Sequence, residues 1–258
     1  MGNIYLNGSL LSGGVKLNGT AMQDVYFNGT LLWSNDFPLT ISSNQQQLNL
    51  ATYASSNGWN GSAPLVITIA SGVHITSSSP STAAISTGSC PAGLTILNSG
   101  NIHGDGGNGA SAYIGYGPGY DGEAGGHAIL VTNSTSLSVT NNSGGVIAGG
   151  GGGGASSAGR GFGGGMEHFG GGGGGGRCGN GHTTTGGASH GNDQNGSGGS
   201  YSGAGSGGGS GAGSGGNWGD AGGNGADSVT WSGGAGGTAG SAVSGSYTLT
   251  ANNGTMYG

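Results

Sequence analysis

Gly170-Gly171-Gly172-Gly173-Gly174-Gly175-Gly176 is the longest of a series of glycine runs that fill the second half of this chain. Outward from it, glycine-dense stretches lie at 104–109, 144–154, 159–165, 196–216, 222–225 and 233–240. Of 71 glycines in 258 residues, 12 fall in residues 1–100 and 59 in 101–258, which places the main boundary near Asn101. Glycine loses the most backbone entropy on ordering and buries no side chain, so this density is ordinarily a mark of linkers or disorder. Disordered chains, however, are usually charged. Here three cations (Lys16, Arg160, Arg177) and nine acids are spread among Tyr, Trp, Phe and Ile, and the chain reads as ordered.

Three ordered forms of glycine compete. Collagen requires glycine at every third position with abundant proline, and the chain has five prolines. Silk-like stacking suits the alternation Gly203, Gly205, Gly207, Gly209, Gly211, Gly213, Gly215, which leaves one strand face bare. The third form is a bundle of extended polyglycine helices with three residues per turn, in which 170–176 spans roughly 20 Å. Without Cβ atoms such backbones approach closely and satisfy one another's N–H and C=O groups. The local pattern leaves the last two open.

Toward the N-terminus an imperfect repeat appears: Leu6-Asn7-Gly8-Ser9, Leu17-Asn18-Gly19-Thr20 and Phe27-Asn28-Gly29-Thr30. Each unit runs apolar and polar residues into Asn-Gly, the strongest short-range signal for a type I′ hairpin. Residues 1–35 are therefore predicted as hairpins that must dock on a partner or on the rest of the chain, since so small a sheet is marginal alone. Residues 36–100 read as a small β-rich domain. A short helix is predicted over 48–57 with a stop at Gly58, and strands at 65–69, 73–76 and 94–97. Residues 127–140 are also strand-like.

The net charge of −6 and the lack of a basic cluster argue against nucleic acid as a partner. No run of about 18 apolar residues predicts a membrane span, and Met1-Gly2-Asn3-Ile4-Tyr5 lacks the charged and apolar regions of a signal peptide. Cys90 and Cys178 match neither a zinc spacing nor a disulfide framework and read as free thiols, a single bridge being the alternative.

Four segments, Trp59-Asn60-Gly61, residues 66–73 (Val-Ile-Thr-Ile-Ala-Ser-Gly-Val), residues 98–104 (Asn-Ser-Gly-Asn-Ile-His-Gly) and Val146-Ile147-Ala148-Gly149, lead into the glycine blocks. With those blocks they resemble the glycine-rich receptor-recognition adhesins at the distal end of phage long tail fibres, over about residues 36–258. The resemblance implies a polyglycine-II helix sandwich over 101–258, with loops at an exposed tip that contact a host outer-membrane protein or lipopolysaccharide. It also implies an N-terminal β segment that fastens the adhesin to a tail-fibre protein, a virion location, and assembly in the host cytoplasm. Residues 3–33 match no attachment motif of the family. A structural silk-like or antifreeze-like protein without a receptor is the alternative function.

Recognition chemistry then falls to the inserts between glycine runs, because loops on a rigid frame present side chains at low entropic cost. Tyr113, Tyr116 and Tyr120 are the first candidates, resembling tyrosine-rich binding loops. Phe162, Met166, His168 and Phe169 form an apolar cluster; Trp218 and Trp231 offer stacking faces; Arg177 offers a partner for an anionic group. Covering the scaffold edge competes for the tyrosines, a plug that caps the bundle for the apolar cluster, a structural role for one of the two tryptophans, and simple solvation for Arg177. Tyr5, Leu6, Leu17, Tyr26, Phe27 and Trp33 are the candidates for fibre attachment.

Catalysis finds little support. Gly196-Ser197-Gly198 and Gly205-Ser206-Gly207 are not set between a strand and a helix, and Lys16 is the only lysine, so no phosphate-loop signature occurs. Asp105, Asp121 and Glu123 are the one acid set to consider for glycan hydrolysis. His168, His182, His190 and Asp193 have spacings of no standard metal motif, and no cofactor or metal is expected.

Overall fold

The structure is a computed structural model. It describes all residues except 1–4, 7–8, 11–15, 18–19, 22–23, 28–29, 113–116, 134, 159, 162–167, 170–172, 190–193, 210 and 229–230, with backbone alone at the strands within 5–34 and 160–169. The strands on either side of each Asn-Gly pair form three two-stranded antiparallel hairpins. They are β1 (Tyr5–Leu6) with β2 (Ser9–Leu10), β3 (Lys16–Leu17) with β4 (Thr20–Ala21), and β5 (Asp24–Phe27) with β6 (Thr30–Ser34).

From Phe37 the chain winds into a parallel solenoid with three faces. The first coil is β7 (Phe37–Ile41), β8 (Gln45–Gln46) and β9 (Leu48–Asn49), followed by helix α1 (Leu50–Ser56). The second is β10 (Leu65–Ile69), β11 (His74–Thr76) and β12 (Ile85–Ser86). The third is β13 (Leu94–Asn98), β14 (Asn101–His103) and, beyond a glycine-rich insert, β15 (Ile129–Leu130). The fourth is β16 (Leu137–Asn141) and β17 (Val146–Ala148), after which a long insert carries the short pair β18 (Arg160–Gly161) and β19 (His168–Phe169) before β20 (Val243–Ser244) closes the coil. β21 (Tyr247–Asn252) and β22 (Thr255–Tyr257) end the solenoid.

Residues of equal rank in successive coils stack in register. Ile67, Ile96 and Val139 form one inward row, Ile75, Ile102 and Ile147 another, and Ile85 with Ile129 a third, all fully buried. The alternation in Leu65-Val66-Ile67-Thr68-Ile69 produces this, because successive residues of a strand point to opposite faces. Each coil covers only its neighbours' apolar rows, as in other solenoids. At one corner the row is polar. The Asn98 amide donates to Asn141 Oδ1 at 2.9 Å, and Asn141 donates to Asn252 Oδ1 at 3.1 Å.

Helix α1 starts two residues later than the pattern predicts. Leu48 and Asn49 are taken by the third face, and Asn49 caps the helix by accepting from the Thr52 N–H at 3.0 Å. Gly58, at φ +94°, supplies the stop. The stretch 127–140 is two strands, not one, broken by a turn in which Asn133 takes φ 54°. The parallel sheets also cross the boundary expected at Asn101, since β14 to β17 and β20 to β22 pair with strands on its N-terminal side or with one another. The change in glycine content marks where the chain leaves the solenoid; the hydrophobic rows needed to complete the core return after it.

Candidate functional site

The two glycine-rich excursions, 104–128 and 149–242, meet beside the solenoid, and 149–158 runs through their middle. Its N–H donors rotate among three neighbours: Gly150, Gly153 and Ser156 donate to Gly126, Glu123 and Tyr120; Gly151 and Gly154 to Arg177 and Gly174; Gly152, Ala155 and Ala158 to Asp220, Gly223 and Ala226. Its carbonyls accept from three more segments, through Gly107 and Ala110, Gly213 and Gly216, and Gly234, Gly237 and Gly240. Each neighbour is met at every third residue. Residues 149–158 are buried throughout, and their backbone groups are satisfied between segments rather than within one.

The crowding explains the residue type. A Cβ on Gly150 would fall on the carbonyl oxygen of Asp105, one on Gly152 on that of Gly237, and one on Gly153 on that of Asn108. The alternating glycines of 203–215 do not form a silk-like strand. They turn back at Gly209, which accepts from Ala212 N, so that Gly205 donates to Gly175 while Gly213 donates to Ala155.

The register sets direction. At the base, Gly149 donates to Tyr257 of β22; at the other end, Ala158 donates to Ala226. Ala110, Tyr120, Gly174, Gly213 and Gly234 bond to residues 154–156 and so lie toward that far end. The chain connections 111–119, 159–172, 188–195, 209–212 and 227–233 therefore have their described flanks there. Tyr120, 51% exposed, and Trp231, 42% exposed, belong to this end. The loop bearing Trp231 is tied across its neck: Trp231 N–H donates to Ser228 Oγ at 3.0 Å, and Gly233 N–H to Asp227 Oδ1 at 2.9 Å. His168 and Phe169 form β19, paired with β18. Tyr113, Tyr116, Phe162 and Met166 lie outside the described residues.

Trp218 and Arg177 lie away from Tyr120 and Trp231. Both sit at the base, on the outer side of the solenoid's second face. Trp218 is 9% exposed, stacks on His103 and donates from Nε1 to the Cys178 carbonyl at 3.2 Å. The Arg177 guanidinium lies 3.7 Å above the Trp218 ring, and its Nε donates to the Tyr201 carbonyl at 2.9 Å. Tyr201 closes the cluster edge-on to His74, His103 and Trp218. Neither predicted residue shares a surface with Tyr120 or Trp231, because 216–220 and 177–182 are turns at the opposite end of the glycine segments. Sequence reading missed His103 and Tyr201 as parts of this joint. Their one signal is position, each lying where a strand or serine-rich turn meets glycine.

Electrostatics at the joint follow from burial. Desolvation, aided by His74 and Arg177, pushes His103 down to about 3, and neither of its ring nitrogens has a hydrogen-bond partner among the described residues. Desolvation also raises Asp105 above the usual carboxylate range. The acids considered for glycan hydrolysis accept backbone or amide hydrogen bonds. Asp121 Oδ1 accepts from Ala235 N–H at 2.7 Å, Glu123 Oε2 from the Asn108 amide at 2.6 Å, and Asp105 Oδ1 from Gly106 N–H at 3.1 Å. Of the histidines considered for a metal, His182 lies at the base while His190 lies outside the described residues, as does Asp193. Among the described residues no group of three or more His, Cys, Asp or Glu is placed to hold a metal ion, and no helix is long and apolar enough to cross a membrane.

The chain is thus a parallel solenoid with two glycine-rich excursions whose segments bond to one another, and Tyr120 and Trp231 are exposed toward the far end of those segments. The family model described as "Phage tail fibre adhesin Gp38" matches residues 36–258, and the chain belongs to that family. It is a phage tail-fibre adhesin, and its place is the virion tail. A solved structure, the gp37-gp38 adhesin tip complex of the bacteriophage S16 long tail fibre, is 27% identical with a TM-score of 0.55, and the match covers 84% of this chain and 79% of that one. No relative among curated proteins matches the chain.

Proposed function

We propose that this adhesin binds a bacterial surface receptor, an outer-membrane protein or lipopolysaccharide glycan, through the loops at the far end of its glycine segments. The carrying observation is the bonding of 149–158 to six neighbours at every third residue. That is the pattern of a polyglycine II bundle, whose rise of about 3.1 Å per residue makes this segment roughly 30 Å long. Such a bundle holds the loops away from the solenoid on a frame that loses little entropy on binding. Tyr113, Tyr116, Tyr120 and Trp231, with Phe162, Met166, His168 and Phe169, are the receptor-facing residues in this reading, and no bond-making chemistry is assigned to them. Residues 1–35 attach the adhesin to a tail-fibre protein through Tyr5, Leu6, Leu17, Tyr26, Phe27 and Trp33. The S16 neighbour, a complex of two fibre proteins, supports a partner of that class. The protein belongs at the distal tip of the fibre and is assembled with it in the host cytoplasm.

The test is adsorption of purified protein to host cells. Tyr120→Ala and Trp231→Ala should each weaken binding tenfold or more, in line with aromatic hot spots, while leaving the melting temperature unchanged. Full binding by the folded double variant would remove this surface from recognition. Mutant hosts lacking either individual porins or outer-core sugars separate a protein receptor from a glycan.

A further inference from the structure

Ten Asn-Gly pairs occur in the chain, and these are places where an asparagine can lose its amide without an enzyme. The main-chain nitrogen of the glycine attacks Cγ of the asparagine side chain; the proton passes to water, Nδ2 departs as ammonia, and a succinimide ring closes. Water then opens either carbonyl of the ring, so the net change is amide plus water to acid plus ammonia. The product is aspartate or isoaspartate, and in the latter the main chain runs through Cβ. Glycine favours the attack because it has no side chain to crowd its nitrogen and lets the peptide rotate. Nitrogen and Cγ must both be free to approach, and a hydrogen bond that fixes either one holds them apart.

Hydrogen bonding separates the pairs. The three of the N-terminal repeat lie outside the described residues. In five others the glycine N–H is engaged: Gly58 donates to the Ser55 carbonyl, Gly109 to that of Thr185, Gly196 to Gly187, Gly225 to Gly234 and Gly254 to Asn141, at 2.9–3.2 Å. Three of these are held at the other end as well, since Asn108, Asn195 and Asn224 accept through Oδ1 from the N–H groups of Thr185, Ser189 and Gly236. At Asn60 the side chain is the part held: Oδ1 accepts from the Ser62 N–H at 3.1 Å and from its hydroxyl at 2.7 Å. Among the described residues only Asn180-Gly181 has both reacting groups free. Neither the Asn180 amide nor the Gly181 N–H makes a hydrogen bond there, and Gly181, at φ +83°, has nothing within 4 Å of where a Cβ would stand. Exposure does not explain the difference, because Asn195 and Asn224 are exposed as Asn180 is.

The same turn fastens the glycine insert to the solenoid. His182 N–H donates to the Gly179 carbonyl at 3.2 Å, closing residues 179–182. Cys178 Sγ donates to the His182 carbonyl at 2.9 Å, and the Cys178 carbonyl accepts from Trp218 Nε1. Gly179 lies so close to the second face that a Cβ on it would stand 2.8 Å from Thr76 Cγ2, and His182 Nε2 is 2.6 Å from the Gln46 amide nitrogen. The turn is thus pinned at both ends and free in its middle. We infer that Asn180 is a site of spontaneous deamidation, and that its conversion to isoaspartate loosens the joint between insert and solenoid. The added main-chain carbon lengthens a turn whose ends are fixed, and the new carboxylate enters a groove lined by Asn44, Gln45, Gln46, His74 and His182.

The test follows each site in the full-length folded protein held at pH 8, well below its melting temperature. Pepsin digestion in acid, which halts the reaction, followed by mass spectrometry reads the change from amide to acid at each asparagine. Incubation in water enriched in heavy oxygen marks the acids formed through the ring. Asn180 should convert about tenfold or more faster than Asn108, Asn195 and Asn224, whose reaction waits on breaking two hydrogen bonds, with Asn60 between. In guanidinium the five rates should converge. Equal rates in the folded protein, or earlier conversion of the bonded pairs, overturn the assignment of the site. Melting temperature is followed in parallel with Asn180→Gln, whose longer side chain closes its ring far more slowly. The parent should lose thermal stability as isoaspartate accumulates, while the aged Asn180→Gln protein holds its value. A parent that melts unchanged once Asn180 is converted overturns the link to the joint.

Discussion

The indole of Trp218 lies flat on the imidazole of His103, with ring centroids 4.3 Å apart and planes 25° from parallel. His103 belongs to the second solenoid face and Trp218 to a basal turn of the glycine insert, so the contact fastens the two parts of the molecule together. Arg177 covers the indole from the insert side. Tyr120 and Trp231 lie toward the other end of the same glycine segments, and how those segments are held against the solenoid depends on this joint.

His103 makes that joint sensitive to acid. Its value when folded, about 3, lies below its ordinary 6.5, so the unfolded chain binds an extra proton between the two. Stability from this group is complete above about 6.5 and falls as pH drops toward 3, by on the order of 3 kcal/mol at pH 4. His103→Phe keeps a ring against Trp218 and removes the proton. Its melting temperature should decline less between pH 7 and pH 4 than that of the parent; superimposable profiles would rule out His103 as the source.

Glycine at 152 is a requirement of space. Gly152→Ala places a Cβ on the Gly237 carbonyl, with backbone on both sides, and should cost more than about 4 kcal/mol or prevent the insert from folding. Gly203, whose Cβ would meet nothing within 4 Å, is the control, and Gly203→Ala should stay within about 0.5 kcal/mol. Thermal melts of the two variants check this. Equal losses would mean that glycine content, not close approach, sets stability.

The asparagine ladder should weaken from its middle. Asn141 is fully buried, accepts from Asn98, and donates to Asn252 and to the Thr255 carbonyl. Asn141→Ala orphans buried partners and should cost about 2–4 kcal/mol in urea unfolding, against about 1 kcal/mol or less for exposed Asn252→Ala.

Both thiols should be silent in the native protein. Cys90 and Cys178 are free and buried, and burial pushes them up to about 11 and about 12. Titration with a chromogenic disulfide at pH 8 should label neither until guanidinium is added, because the thiolate is the reacting form. Rapid native labelling of either would contradict its burial.

Much of the fold was legible because it is local. The alternation in 65–69, the Asn-Gly pairs of the N-terminal repeat and the helix stop at Gly58 are backbone preferences acting over a few residues. The glycines at 173–176 likewise announce a place for close backbone approach. The site was legible only in part. Asn217-Trp218-Gly219 and Thr230-Trp231-Ser232 look alike as tryptophans in small polar surroundings, yet one is a buried joint and the other stands 42% exposed at the far end.

What the sequence determined by itself was residue type: where side chains must be absent, where strands alternate, where turns close. Only the tertiary structure decided that strands on both sides of the glycine blocks complete one solenoid, and which segments surround 149–158. The reason is physical. A glycine N–H can bond to any carbonyl that reaches it, and a residue without a side chain carries no code for its neighbour. Those choices were left to the packing of the rest of the chain, and with them the end of the bundle at which each tryptophan came to lie.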